Sequence, residues 1–163
     1  MRHILSILIE NESGALSRVA GLFSARGYNI ESLTVAATDD ASLSRMTIVT
    51  NGTSDIIEQI VKQLNKLVEV VKLIDLCESD HIERELMLVK VSVGINELSD
   101  VKQLVDIFGG KILDVNDSSY VVELTGSSRK MDSFISSLKG KEIIEVVRTG
   151  VSGIGRGAKS LLI

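Results

Sequence analysis

Apolar and polar positions along this chain follow two rhythms, and the rhythm changes at clusters of turn residues. Ile4 to Ile9 carries apolar side chains on both faces, Leu5, Ile7 and Ile9 on one and Ile4 and Leu8 on the other, which predicts a strand central in its sheet. After Asn11-Glu12-Ser13-Gly14 the period lengthens. Ala15, Leu16, Val19, Ala20, Leu22 and Phe23 fall at helical spacing and stop at Arg26 and Gly27. Asn29 to Ala37 and Leu43 to Thr50 read as two strands joined through the polar Thr38-Asp39-Asp40 turn. Ser54 can cap a second helix, with Ile56, Ile57, Ile60, Val61, Leu64 and Leu67 on one stripe and Glu58, Lys62 and Lys66 opposite, before Val68 to Ile74 returns as a strand.

The order is therefore β-α-β-β-α-β, and the second half repeats it. Glu85 to Gly94 alternates as a strand, and Leu98, Val101, Leu104, Val105 and Phe108 mark a helix that stops at Gly109-Gly110. Lys111 to Asn116 and Ser119 to Thr125 form a hairpin around Asp117-Ser118. A helix capped by Ser127 or Ser128 buries Met131, Phe134, Ile135 and Leu138 and ends at Gly140, and Ile143 to Arg148 is the last strand. The fold class is α+β, two consecutive βαββαβ ferredoxin-like domains, each with two helices on one face of an antiparallel sheet. The expected boundaries are 1–76 for the first domain, 77–84 for a linker, and 85–163 for the second domain with a mobile glycine-rich tail. A domain of this size has a small core, so a homodimer that buries the free sheet face or the edge strands is expected.

Composition narrows the function. With 44 % hydrophobic and 25 % charged residues the chain is globular, and its net charge of −4 gives no basic footprint for nucleic acid. An RNA-binding sheet of this topology stacks bases on aromatic residues, which here make up only 3 % of the chain. The apolar run at the N-terminus breaks at Glu10, too short to span a membrane and without a small-residue cleavage site, so a cytoplasmic protein is expected. Cys77, the single cysteine, allows no internal disulfide and no thiolate cluster, and reads as an isolated, half-buried thiol. His3 and His81 have no partner at ligand spacing, and no Gly-x-Ser-x-Gly elbow exposes a serine. No catalytic residues and no metal ligands are expected.

The first loop has residues suited to a free amino acid. Gly14, Ala15 and Leu16 open a helix whose unpaired N–H groups and dipole favour a carboxylate. Asn11 and Asn29 each offer an amide oxygen to an ammonium group, and Leu16, Ile30 and Leu33 could form an apolar wall. The same Asn11 and Gly14 also suit a plain helix start. Spacing alone leaves a small-ligand sensor or an interaction domain.

The string Leu5 to Arg18, followed by Gly21-Leu22-Phe23, Arg26 to Leu33 and Leu43 to Thr47, closely resembles the small regulatory subunits of acetohydroxyacid synthase (acetolactate synthase). Glu83-Arg84-Glu85-Leu86, Leu88-Val89-Lys90 and the Gly150 to Arg156 tail resemble that family's second domain. The resemblance implies that the first unit is an ACT domain, a fold that binds small effectors between two copies. By residue, it implies that Asn11, Gly14, Ala15 and Leu16 of one copy and Asn29 and Ile30 of the other hold valine, with Leu33 as a further wall residue. It also implies a non-catalytic subunit that activates a large catalytic subunit and confers feedback inhibition by valine in branched-chain amino acid biosynthesis. Thiamine diphosphate, magnesium and FAD would belong to that large subunit, and this chain would carry no cofactor. The alternative is a free-standing amino-acid-sensing ACT-domain regulator without a catalytic partner. Relatives often have proline near positions 37 and 41, where this chain has Ala37 and Ala41, a departure that bears on the rigidity of the hairpin loop.

Overall fold

Apolar side chains on both faces place the first strand in the middle of a sheet, and the computed structural model, which describes residues 1–94, 97–158, 160 and 161, shows it there. β1 (Arg2–Glu10) pairs antiparallel with β3 (Leu43–Asn51) on one side and β4 (Val70–Asp75) on the other, and β2 (Ser32–Ala37) pairs with β3. The sheet order is β2-β3-β1-β4, so β2 and β4 are edges. Leu5, Ile7, Ile9, Met46 and Ile48 line one face. On it lie α1 (Ala15–Ala25), through Ala15, Val19 and Phe23, and α2 (Ser54–Leu64), through Ile57, Ile60 and Leu64. Their 3.6-residue spacing puts these residues on single stripes.

Three boundaries differ from the pattern. Asn29 to Glu31 precede β2 because Asn29 and Ile30 leave the sheet at the turn after α1. Val68 stays outside β4 and is exposed, although β-branched, because the ladder to β1 begins at Val70. Thr53 is the residue before α2, and its side chain makes no cap bond.

The larger difference is at the C-terminus. The chain forms two compact units, residues 1–82 with the described residues from Val151, and residues 83–150. The tail is a strand, β9 (Ser152–Gly155), that pairs with β5 (His81–Ser92). Val151 joins Ile4, Val49 and Leu76 in a small core on the sheet face that carries no helix. Thr34 Oγ1 donates to Val151 O at 3.0 Å, and Arg45 Nη2 donates to Gly153 O at 2.9 Å. The cause is apolar surface: Ile4 and Val49 point away from the helices and need cover. A Cβ at Gly153 would stand 2.5 Å from the end of the buried Leu76 side chain, so any larger residue here would make that side chain move. The expected 77–84 linker holds a single 3₁₀ turn (Leu76–Glu78) and the first residues of β5. Lys159, Leu162 and Ile163, at the end of the expected second domain, lie outside the described residues.

The second unit repeats the topology. β5 is central, in the order β6-β7-β5-β8, with β6 (Lys111–Val115), β7 (Ser119–Gly126) and β8 (Ile143–Arg148). α3 (Leu98–Ile107) and α4 (Ser128–Ser137) cover one face, where Met87, Val89, Val91, Val101, Val105, Val122, Leu124, Met131 and Phe134 form the core. Phe108 and Phe134 meet edge to face, ring centroids 5.3 Å apart. Ser127 caps α4 by accepting from Lys130 N–H at 3.3 Å.

Candidate functional site

The loop between β1 and α1 is held on both flanks. The Asn11 N–H donates to Ser42 O at 2.7 Å and its Nδ2 donates to Ala41 O at 2.9 Å, which fastens the loop to the β2–β3 hairpin turn. On the other flank the Glu10 N–H donates to Glu69 O at 2.9 Å. With its amide nitrogen used, Asn11 presents Oδ1 as its remaining polar end, an acceptor suited to an ammonium group. Asp40 in the same turn accepts from the Ser42 hydroxyl at 2.6 Å and the Ser42 N–H at 2.9 Å, and these bonds hold its carboxyl below the ordinary carboxylate value.

Gly14 begins the helix at φ +92, a left-handed conformation that glycine adopts without strain. No side chain caps α1. The Arg18 N–H closes the first turn onto Gly14 O at 3.0 Å, and the Ala15 N–H turns back to Glu12 O at 3.3 Å. Ala15 is 2 % exposed and packs into the core, so it anchors the loop, and the first-turn donors for an anion are the N–H groups of Leu16 and Ser17. Leu16 is 41 % exposed beside them. Sequence reasoning missed Ser17 and the Ala41-Ser42 turn. The turn could have been found from strand register, since Glu10 pairs with Leu43 and so places residue 42 next to Asn11.

Asn29, Ile30 and Leu33 lie elsewhere. Asn29 O accepts from Thr50 Oγ1 at 2.7 Å, and Thr50 pairs with His3 at the far end of β3 from Ser42. β3 is 9 residues long, so within one chain the Asn11 and Asn29 groups are on the order of 25 Å apart at about 3.3 Å per residue. Ile30 and Leu33 are half-buried against the helix-side core. The structure thus brings Asn11, Gly14, Ala15 and Leu16 together, and sets Asn29, Ile30 and Leu33 apart from them along the edge strand β2. Val35 on this edge is 41 % exposed.

Other polar groups have partners of their own. His3 Nδ1 and Asp75 Oδ2 are 2.6 Å apart, and Asp75 Oδ1 accepts from the Cys77 N–H. His81 Nδ1 lies 3.0 Å from Ser79 O. Cys77 is exposed, not half-buried. Among the described residues no three His, Cys, Asp or Glu side chains gather as a metal site, and no helix is long and apolar enough to cross a membrane.

The fold and this loop define the class: paired ferredoxin-like βαββαβ units headed by an ACT domain. Residues 5–72 match the family described as the AHAS small subunit-like ACT domain, and residues 84–157 match the small subunit of acetolactate synthase. The chain is 54 % identical to the acetolactate synthase small subunit of Haemophilus influenzae, over 99 % of this chain and 100 % of that one. It is 56 % identical to the acetolactate synthase isozyme 3 small subunit of Escherichia coli, over 98 % of each. The crystal structure of the acetolactate synthase small subunit from Thermotoga maritima superposes with a TM-score of 0.88 at 40 % identity, covering 98 % of this chain and 99 % of that chain. This chain belongs to the acetolactate synthase small-subunit family.

Proposed function

We propose that the chain is the regulatory subunit of acetolactate synthase: it docks on a catalytic large subunit, raises its activity, and makes it sensitive to valine. The observation that carries this reading is the uncapped, glycine-started helix α1 whose entry loop is tied through Asn11 to the turn at one end of the edge strand β2, with Asn29 and Ile30 at the other end of that edge. Antiparallel pairing of β2 with β2 of a second copy across a two-fold axis would set Asn29 and Ile30 of one copy against Asn11, Leu16 and Ser17 of the other. Two equivalent sites result. The effector's carboxylate meets first-turn N–H groups, its ammonium meets the asparagine oxygens, and its branched side chain meets Leu16 and Ile30.

The reading assigns thiamine diphosphate, magnesium and FAD to the large subunit and no catalytic step to this chain. Regulation then works by linkage: valine binds more tightly to a docked state of lower activity. A coupling of about 1 to 3 kcal/mol corresponds to roughly 5- to 150-fold inhibition. The test combines calorimetry of the chain with valine, isoleucine and leucine and an acetolactate assay with and without the large subunit. The chain alone is expected to turn over no pyruvate, to raise output when added to the large subunit, and to render that output valine-sensitive. Valine uptake without any effect on the large subunit would favour a free-standing sensor, and absence of uptake and of inhibition would overturn the reading.

A further inference from the structure

Glu69 is a glutamate with only 6 % of its surface exposed, standing just before β4 and beside the start of α1. A carboxylate this buried is tolerated where it is paired, and its partner is the guanidinium of Arg18, which remains mostly in solvent. The two residues bracket the candidate loop. The Glu69 carbonyl holds the Glu10 N–H at one end, and the Arg18 N–H is bonded to Gly14 O at the other. A single residue thus ties both ends of Asn11–Gly14, by its backbone at the strand and by its carboxylate at the helix.

The second unit shows which of these ties is generic. There the Ser92 N–H donates to Glu142 O at 2.8 Å and the Val93 N–H donates to Ser118 O at 2.9 Å, the counterparts of the Glu10–Glu69 and Asn11–Ser42 bonds. The backbone ties belong to the topology. The second unit carries a pair of the opposite sense at the corresponding place, Lys141 two residues before its last strand with Glu97 just before α3, and the first unit alone of the two puts the carboxylate on the strand side and the guanidinium on the helix.

We infer that the Glu69–Arg18 pair is a positioning device for effector binding: it fixes the first turn of α1 against β4, and with it the Leu16 and Ser17 N–H groups that receive the effector's carboxylate. This rests on the regulatory reading above. Neither side chain touches the effector, so removing either should have the same consequence.

The test uses the full chain with the large subunit and three variants, Glu69→Gln, Arg18→Gln and the double substitution, each referred to its own valine-free rate. Each single variant is expected to raise the valine concentration for half-inhibition about tenfold, and the double variant no further, because both changes remove one interaction. In the chain alone, without effector, amide hydrogen exchange across residues 11–18 should speed up about tenfold in all three. A silent Arg18→Gln beside an affected Glu69→Gln would make Glu69 a direct contact and overturn the inference. Tighter valine inhibition in Glu69→Gln would do the same, by showing that Arg18 binds the carboxylate itself. If the unsubstituted complex ignores valine, the regulatory reading has failed, and the exchange measurement alone decides this one: unchanged exchange overturns it.

Discussion

The two units share a framework and differ in what meets the first turn of their first helix. In both, the loop after the first strand is bonded to the hairpin turn on one flank and to the residue before the last strand on the other. At the helix start the first unit places Gly14, left-handed and without a side-chain cap. The second unit places Glu97, whose Oε2 accepts from the Gly94 N–H at 3.2 Å and whose Oε1 accepts from Lys141 Nζ at 3.1 Å. One unit has a carboxylate of its own at this corner, spent on Gly94 and Lys141 and making no cap bond to α3, and the other has none. Topology builds the corner twice, and a single residue decides whether a side-chain charge stands in it.

The strongest way to break the contrast is to give the first unit a carboxylate of its own. Gly14→Asp is expected to raise the half-inhibitory valine concentration by more than about 100-fold, at the upper end of typical coupling. A Cβ at Gly14 meets nothing within 4 Å, so no clash enters, but φ +92 strains any L residue. That strain costs about 1–2 kcal/mol, so Gly14→Ala, strained but uncharged, should shift the response only about tenfold. Equal effects of the two substitutions would show that conformation, not charge, matters there.

A smaller effect distinguishes the buried glutamates. Glu85 of the second unit has its side chain 2 % exposed and accepts from Arg148 Nε at 3.2 Å, while Arg148 Nη1 also donates to Asp132 of α4 at 2.7 Å. Glu85 holds the Arg148 pKa above its ordinary value, with burial opposing it. Arg148→Met would leave a buried carboxylate unpaired. The expected loss is about 2–3 kcal/mol in urea unfolding, below the fully buried case because Arg148 is itself a third exposed. A loss under about 0.5 kcal/mol would mean that the Glu85 carboxylate regains water at no cost.

The smallest effect is a titration. The bond from Gly94, and then the pairing with Lys141, lowers the Glu97 pKa from 4.5. A depressed folded-state value means that this contribution to stability is complete above the unfolded pKa and is lost as pH falls through the folded one, so the window lies below 4.5. Side-chain NMR should place the Glu97 midpoint below that value, and Lys141→Met should move it upward. A midpoint at or above 4.5 in the unsubstituted chain would remove the claim that Glu97 is held in its charged form.

Much of this was legible because local periodicity reports burial directly. Leu5, Ile7 and Ile9 against Ile4 and Leu8 marked β1 as central, and the stripes of α1 and α2 named their buried faces. The candidate loop could be named from Asn11 and Gly14 because helix-start chemistry is local. Ser17 and Glu69 were not, since one donates through its backbone and the other is near the loop only through the β1–β4 pairing. The tail was misread for a related reason: Gly150 to Gly157 has no period of its own, and its strand exists because Ile4, Val49 and Leu76 offer an apolar surface 75 or more positions earlier in the chain.

The order of elements, the inward faces and the residue types of the first loop followed from the sequence by itself, because each depends on neighbours within one or two turns of chain. Which ends of the loop are tied, which strand becomes an open edge, where the C-terminal strand lies and how far Asn29 stands from Asn11 were decided only by tertiary structure. These depend on strand order and register, which join residues far apart in the chain through backbone bonds that carry no side-chain signature.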